Sequence, residues 1–167
     1  DEFEKHPEAD MLLFNFDVVP ERKTYETSDY KRVRTYNCGR YPTFSFAIRR
    51  EKLHRLNITY SLLFGGGAKY SNGEDSLFIR ECIKKGMKVY ATPVRLGKEK
   101  GTPSTWFHGY HEKFFYDRGV LYQALYGKAA KPLAIRFLLK HHKKMCQEIS
   151  MNKAYTLMRQ GIKDMRQ

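Results

Sequence analysis

Residues Ala9–Val19, ADMLLFNFDVV, form the densest apolar run in the chain, and Pro20 closes it. Near-continuous hydrophobicity without strict alternation predicts a strand covered on both faces, as in an α/β sheet. Asp1–His6 reads as the end of a helix stopped by Pro7, and Glu21–Arg40 is polar, Tyr-rich and without period. That second stretch is expected to run over the surface. Pro42–Ile48 (PTFSFAI) reads as another strand, and Arg49–Leu56 as a short helix. Tyr60–Gly73 holds Gly65-Gly66-Gly67, which no regular element tolerates cheaply. Glu74–Lys85 predicts a helix: Leu77, Phe78, Ile79 and Ile83 are apolar, Lys84 and Lys85 fill the last turn, and Gly86 caps it. Lys88–Thr92 is a short strand ended by Pro93, followed by a polar loop, Arg95–Ser104. One helix is expected over about Thr105–Tyr126, and another from near Pro132 with a break near Ser150.

Composition narrows the class. The 167 residues suit one domain, and 41% hydrophobic with 14% aromatic content excludes a disordered basic tail. No apolar run approaches the roughly 20 residues of a membrane span. The chain begins Asp1-Glu2-Phe3, with neither an initiator Met nor a signal-peptide pattern, which reads as a processed start or a piece of something longer. Three scattered cysteines (Cys38, Cys82, Cys146) argue against a disulfide framework or a cysteine zinc site and for a reducing compartment. The net charge is +13, from 31 basic and 18 acidic residues. From Lys128 onward there are ten basic and two acidic residues, so the last 40 residues hold +8 of that total.

Candidate chemistry centres on Gly65–Phe78, GGGAKYSNGEDSLF, where a glycine loop delivers two adjacent carboxylates to the first turn of a helix. Acidic residues are favoured there by unpaired amides and the helix dipole, so ordinary capping is one reading. Neighbours on a helix diverge by about 100°, so Glu74 and Asp75 cannot face one cleft equally. His108 and His111 form an H-x-x-H pair that, on a helix, suits one metal ion, or else packs beside Phe107, Tyr110 and Phe114. Trp106 stands next to them, where anchoring the helix is one reading. Lys131–Lys144 mixes basic and apolar residues in the manner of a helix lying on an anionic membrane, or of a packing helix with a solvated face.

Gly73-Glu74-Asp75-Ser76-Leu77-Phe78, the basic helix to Gly86, the Lys88-Val89-Tyr90 strand and Ser104-Thr105 after the loop resemble glycosyltransferase family 2. The ADMLLFNF and Phe44–Arg49 strands fit the same pattern, and the resemblance spans about Phe3–Gly127. It implies an α/β fold: the acceptor-side half of a Rossmann-like GT-A domain over residues 1–104, a mixed sheet with flanking helices. A basic helical extension over 105–167 would follow. It further implies inverting transfer from a nucleotide-sugar donor to a glycan or lipid-linked acceptor, as in polysaccharide biosynthesis. Asp75 would be the base and Glu74 its support, with Gly66, Gly67 and Trp106 on the acceptor side. Arg95, Lys98 and Lys100 would stabilise the leaving diphosphate, and His108 or His111 would be a late metal ligand.

The family's donor half, with its Asp-x-Asp site for Mg or Mn, has no counterpart here. No Asp-x-Asp occurs, and too few residues precede Ala9 to hold it. The expectation is therefore a fragment that does not transfer sugar alone and whose bare sheet surface favours dimers. Its expected location is cytoplasmic, peripheral at the inner face of a membrane. The competing reading is a non-catalytic basic module for nucleic acid or anionic membrane. Against nucleic acid, no recognisable binding motif appears and the aromatics mostly follow core spacing.

Overall fold

The computed structural model describes residues 1–19, 23, 25–99 and 109–166. They form two units, Asp1–Ser61 with Glu74–Pro103, and Leu62–Gly73 with Ser104–Gln167. Leu62–Gly73, the glycine-rich stretch, thus belongs with the C-terminal helices.

The first unit is mixed α/β. Its elements are α1 (Glu2–Lys5), β1 (Met11–Asp17), β2 (Lys31–Arg32), β3 (Phe46–Ile48), α2 (Arg50–Arg55), α3 (Glu74–Lys84) and β4 (Val89–Lys98). The sheet order is β2-β4-β1-β3, with β1 and β4 parallel and both outer pairings antiparallel. Met11–Asn15 is buried at every position, so β1 is covered on both faces as its composition requires. Met11 and Leu13 pack in a cluster with Phe78, Ile79 and Cys82 of α3 and with Val89 and Ala91 of β4. Leu12 and Phe14 pack with Ala9, Phe3, Tyr30 and Tyr90. An aromatic stack closes that second face: His6 lies 3.7 Å from Tyr30, and Tyr30 4.8 Å from Tyr90, in near-parallel planes.

Three expectations for this unit are corrected. The first is Glu21–Arg40, expected on the surface. Val33 and Cys38 are fully buried, Tyr25 packs against the core, and Lys31–Arg32 adds an edge strand. The cause is a polar clamp that no hydropathy pattern reports. The buried Asn15 amide donates to the carbonyls of Thr27 (2.8 Å) and Pro93 (3.1 Å), and its oxygen accepts from the Thr27 N–H (2.9 Å). The second is the strand expected to end at Thr92. It runs through Pro93 to Lys98, because the register with β1 shifts on both sides of Asn15 and the bulge accommodates a residue without an N–H. β3 is also shorter than expected, since a 3-10 turn occupies Thr43–Ser45.

The second unit holds α4 (Glu112–Tyr126), α5 (Ala130–Met145) and α6 (Met151–Asp164). Ser150 caps α6, its hydroxyl accepting from the Lys153 N–H, at the expected break. Pro132 sits in the first turn of α5, where its missing N–H is harmless. α4 starts later than expected, at Glu112. Gly109 before it holds φ +96°, and His111 is the extended N-cap.

The helices pack around Phe115, Ala134, Leu138, Met158 and Ile162. α4 and α6 cross backbone to backbone through two glycines. A Cβ on Gly119 would stand 2.1 Å from the Met158 carbonyl oxygen, and one on Gly161 2.2 Å from that of Tyr116. In an open helix, Gly→Ala gains up to about 1 kcal/mol of propensity. Here the added methyl forces two helices apart, a cost of about 1–3 kcal/mol or more. Gly119→Ala and Gly161→Ala should therefore each lower stability in chemical denaturation. Unchanged or raised midpoints in both would show that the helices do not cross at these residues.

Candidate functional site

The first turn of α3 carries the two carboxylates singled out by the sequence, and both are half-buried. Asp75 faces the 3-10 turn before β3: the Thr43 hydroxyl donates to Asp75 Oδ1. The same hydroxyl lies 3.5 Å from the Tyr60 phenol oxygen. Tyr60 is fixed by its ring, which stacks on Phe78 of α3 at 4.2 Å with the planes 4° apart. Phe78 in turn stacks on Phe46 of β3 at 5.9 Å. One helix, one turn and one loop thus converge on a single carboxylate.

Burial pushes the Asp75 carboxyl above its ordinary range, and the hydrogen bonds from Thr43 oppose the shift by favouring the anion. The Tyr60 phenol is raised as well, first by burial and then by the nearby charges of Asp75 and Glu74. Glu74 diverges from Asp75, as adjacent helical residues must, yet both carboxylates act on Tyr60. Thr43 and Tyr60 were not singled out in the sequence, because each lies outside the glycine–carboxylate stretch and is an ordinary residue in its own segment.

The remaining candidates fall elsewhere. Arg95 and Lys98 lie on β4 and not on a loop, which corrects their expected setting. Arg95 pairs with Asp17, and with Glu26 at 2.9 Å, so its charge is matched by two carboxylates. Lys98 stands opposite Asp17 in the β1–β4 register. Gly66 and Gly67 belong to the helical unit, where a Phe64–Tyr70 bridge closes the loop and Gly67 takes φ +80°. Ser71 anchors this loop, donating from its N–H (2.9 Å) and hydroxyl (2.8 Å) to the buried Asp117 of α4, which Lys113 also contacts at 2.6 Å.

Lys100, Trp106 and His108 lie outside the described residues. His111 is 3.6 Å from Glu148. With Gly109 at positive φ before it, His111 is a non-helical cap and lies ahead of α4, not within the helix expected from Thr105. Among the described residues no group of three or more His, Cys, Asp or Glu could hold a metal ion.

The cysteines are unpaired thiols. Burial raises Cys38 to about 11 and Cys82 to about 12, so neither is a ready nucleophile. No helix among the described residues is long and apolar enough to cross a membrane. No protein-family model, curated protein or solved structure matches the chain.

Since Thr43 favours the Asp75 anion, Thr43→Val should move the Asp75 pKa further up in a carboxyl carbon NMR titration. A fall would show that the hydroxyl does not hold the charge. The folded-state pKa lies above the unfolded value of 3.8, so the protonated acid contributes stability at low pH. That contribution is lost as pH rises through the folded pKa. Asp75→Asn should abolish this segment of the stability–pH profile, and an unchanged profile in the variant would refute it.

Proposed function

We propose that the chain is the acceptor-side part of an inverting glycosyltransferase, in which Asp75 is the general base. The observation that carries this reading is the Asp75 carboxyl itself. It opens α3, is half-buried, is oriented by Thr43 and has a pKa raised by burial. A raised pKa suits a carboxylate that must take a proton in the transition state. The resemblance of Gly73–Phe78 to glycosyltransferase family 2 supplies the reaction class.

In the proposed step, Asp75 removes the proton from an acceptor hydroxyl as that oxygen attacks C1 of the donor sugar. The new C1–O bond forms, the bond from C1 to the diphosphate breaks, and the configuration at C1 inverts. Glu74 supports Asp75 through its neighbouring charge. Lys98 and Lys100 remain candidates for the departing diphosphate, while Arg95 is already engaged by Asp17 and Glu26. The nucleotide-sugar, its divalent metal and the metal's ligands would belong to a donor half, and no step here is drawn through the ion.

A second reading, contact with an anionic membrane at the cytoplasmic face, is favoured by α5 and α6. Ile135, Leu139 and Met151 are exposed large apolar residues bordering a groove of about 250 Å³, and Lys131 and Lys140 stand on the same helix as two of them. This would suit a lipid-linked acceptor and is compatible with the first reading.

The test is made with this chain joined to a donor-binding half and assayed for transfer. Asp75→Asn should reduce turnover by about 100- to 10,000-fold, the range of a lost general base, with donor binding unchanged. Glu74→Gln should cost less. Wild-type turnover in Asp75→Asn would remove Asp75 as the base and the proposal with it.

A further inference from the structure

Two adjoining concavities lie along α5 and α6. A groove of about 250 Å³ is bordered by Ile135, Leu138 and Leu139 of α5 and by Met151 and Tyr155 of α6. A larger cavity of about 390 Å³ is bordered by Lys131 of α5, by Arg159 and Lys163 of α6 with Thr156 and Gln160, and by Arg166 just beyond that helix. They sit end to end on one seam, because Lys131 and Ile135 are one turn apart on α5, and Tyr155 and Arg159 one turn apart on α6. Ile135, Leu139 and Met151 are exposed, and so are all four cations of the cavity.

None of the described residues bordering the cavity is acidic. α5 carries no Asp or Glu, and the one acid of α6, Asp164, accepts a hydrogen bond from Tyr116 of α4 at 3.0 Å. Arg166 Nε donates to Gln123 Oε1 at 3.0 Å, an uncharged partner that positions the guanidinium without neutralising it. Four cations around one concavity draw anions to it. The exposed aliphatic side chains beside them select which anion. A second copy of this face would set like charges against each other. A nucleic acid would meet the cations but leave Ile135 and Leu139 bare, since its bases stack on aromatic faces. An anionic bilayer supplies both partners at once, phosphate for the cations and hydrocarbon for the aliphatic side chains.

We propose that the cavity between α5 and α6 is a head-group site for an anionic phospholipid. Its phosphate sits among Lys131, Arg159, Lys163 and Arg166, and its acyl chain runs along the groove of Ile135, Leu139 and Met151. The arginines supply planar forks for phosphate oxygens, and the lysines supply point charges on flexible stems. The site presupposes the membrane contact of α5 and α6, narrows it from a charged face to a defined position, and is independent of Asp75.

The full chain is sedimented at low salt with phosphatidylcholine vesicles that carry phosphatidylglycerol. Binding should be saturable in lipid and absent from phosphatidylcholine alone. Two double variants of equal charge are then compared. Arg159→Gln with Lys163→Gln removes two cations of the cavity and should weaken binding about 25-fold, about fivefold for each. Arg136→Gln with Lys140→Gln removes two exposed cations of α5 that do not border the cavity, and should weaken binding less than about fivefold in all. Leu139→Gln, in the groove, should weaken binding at least about threefold and keep the wild-type melting temperature. If the cavity pair fails to fold, Lys131→Gln set against Lys140→Gln makes the same comparison from the other wall. Equal losses in the two double variants would make binding a matter of total charge, overturning the site while the membrane contact stands. Unchanged binding in Leu139→Gln also overturns it. Absence of binding to the anionic vesicles removes both the site and the membrane contact, and retention of an RNA oligonucleotide in their place assigns the face to nucleic acid.

Discussion

The sheet unit is organised by the need to cover β1 on both faces. Met11, Leu12, Leu13 and Phe14 are buried in sequence, alternating between two clusters, and each such side chain contributes about 1.5–3 kcal/mol when withdrawn from water. One face is met by α3, through Phe78, Ile79 and Cys82. That packing fixes the rotation of α3, and with it the direction in which Asp75 leaves the first turn. The other face is met by Phe3 of α1 and by the stack of His6, Tyr30 and Tyr90. Asn15 is the exception in the strand. A buried amide is tolerated because its oxygen and both carbonyl-directed N–H groups are used, and that use draws residues 25–33 against the sheet.

The helical unit solves a different problem. α4 has buried residues on several sides (Phe115, Asp117, Val120, Leu121), so it behaves as a central helix and not as an amphipathic surface one. Gly119 and Gly161 let α6 approach α4 at backbone distance. Asp117, although buried, is satisfied by Ser71 and Lys113, and it ties the glycine loop to α4. Arg118, one residue on, points to a different side and lies over the rings of Phe114 and Phe137. Its environment is a consequence of helical geometry, since a turn of about 100° separates the hydrogen-bonded acid from the ring-stacked base.

What could be read from the sequence was what local periodicity encodes. β1, α3 with its Gly86 cap (φ +86°), and the α5–α6 break at Ser150 all stand where the apolar pattern and the capping residues put them. What escaped depends on contacts distant in sequence. The Asn15 clamp turns residues 25–40 from surface to partial core, and the bulge at Pro93 turns a loop into strand. Thr43 and Tyr60 reach Asp75 across 32 and 15 residues, with nothing in their own segments to mark them. The candidate site was therefore half legible: its carboxylates from a motif, its supporting hydroxyls only from the fold.

Asp75 and Arg118 are each disfavoured by burial in their charged form, and the difference between them separates two kinds of chemistry. A carboxyl can escape the cost by taking a proton, and its raised pKa states how readily it does so. Such a group suits proton transfer, provided something orients it, as Thr43 does here. A guanidinium has no such escape, because it stays protonated at any pH the fold survives. Lowering its pKa leaves the charge in place and the desolvation cost standing. That cost is offset in part by the ring faces of Phe114 and Phe137, over which the guanidinium lies. A buried acid beside a hydroxyl is thus suited to move protons, whereas a buried arginine over two rings keeps a fixed charge inside the helical packing.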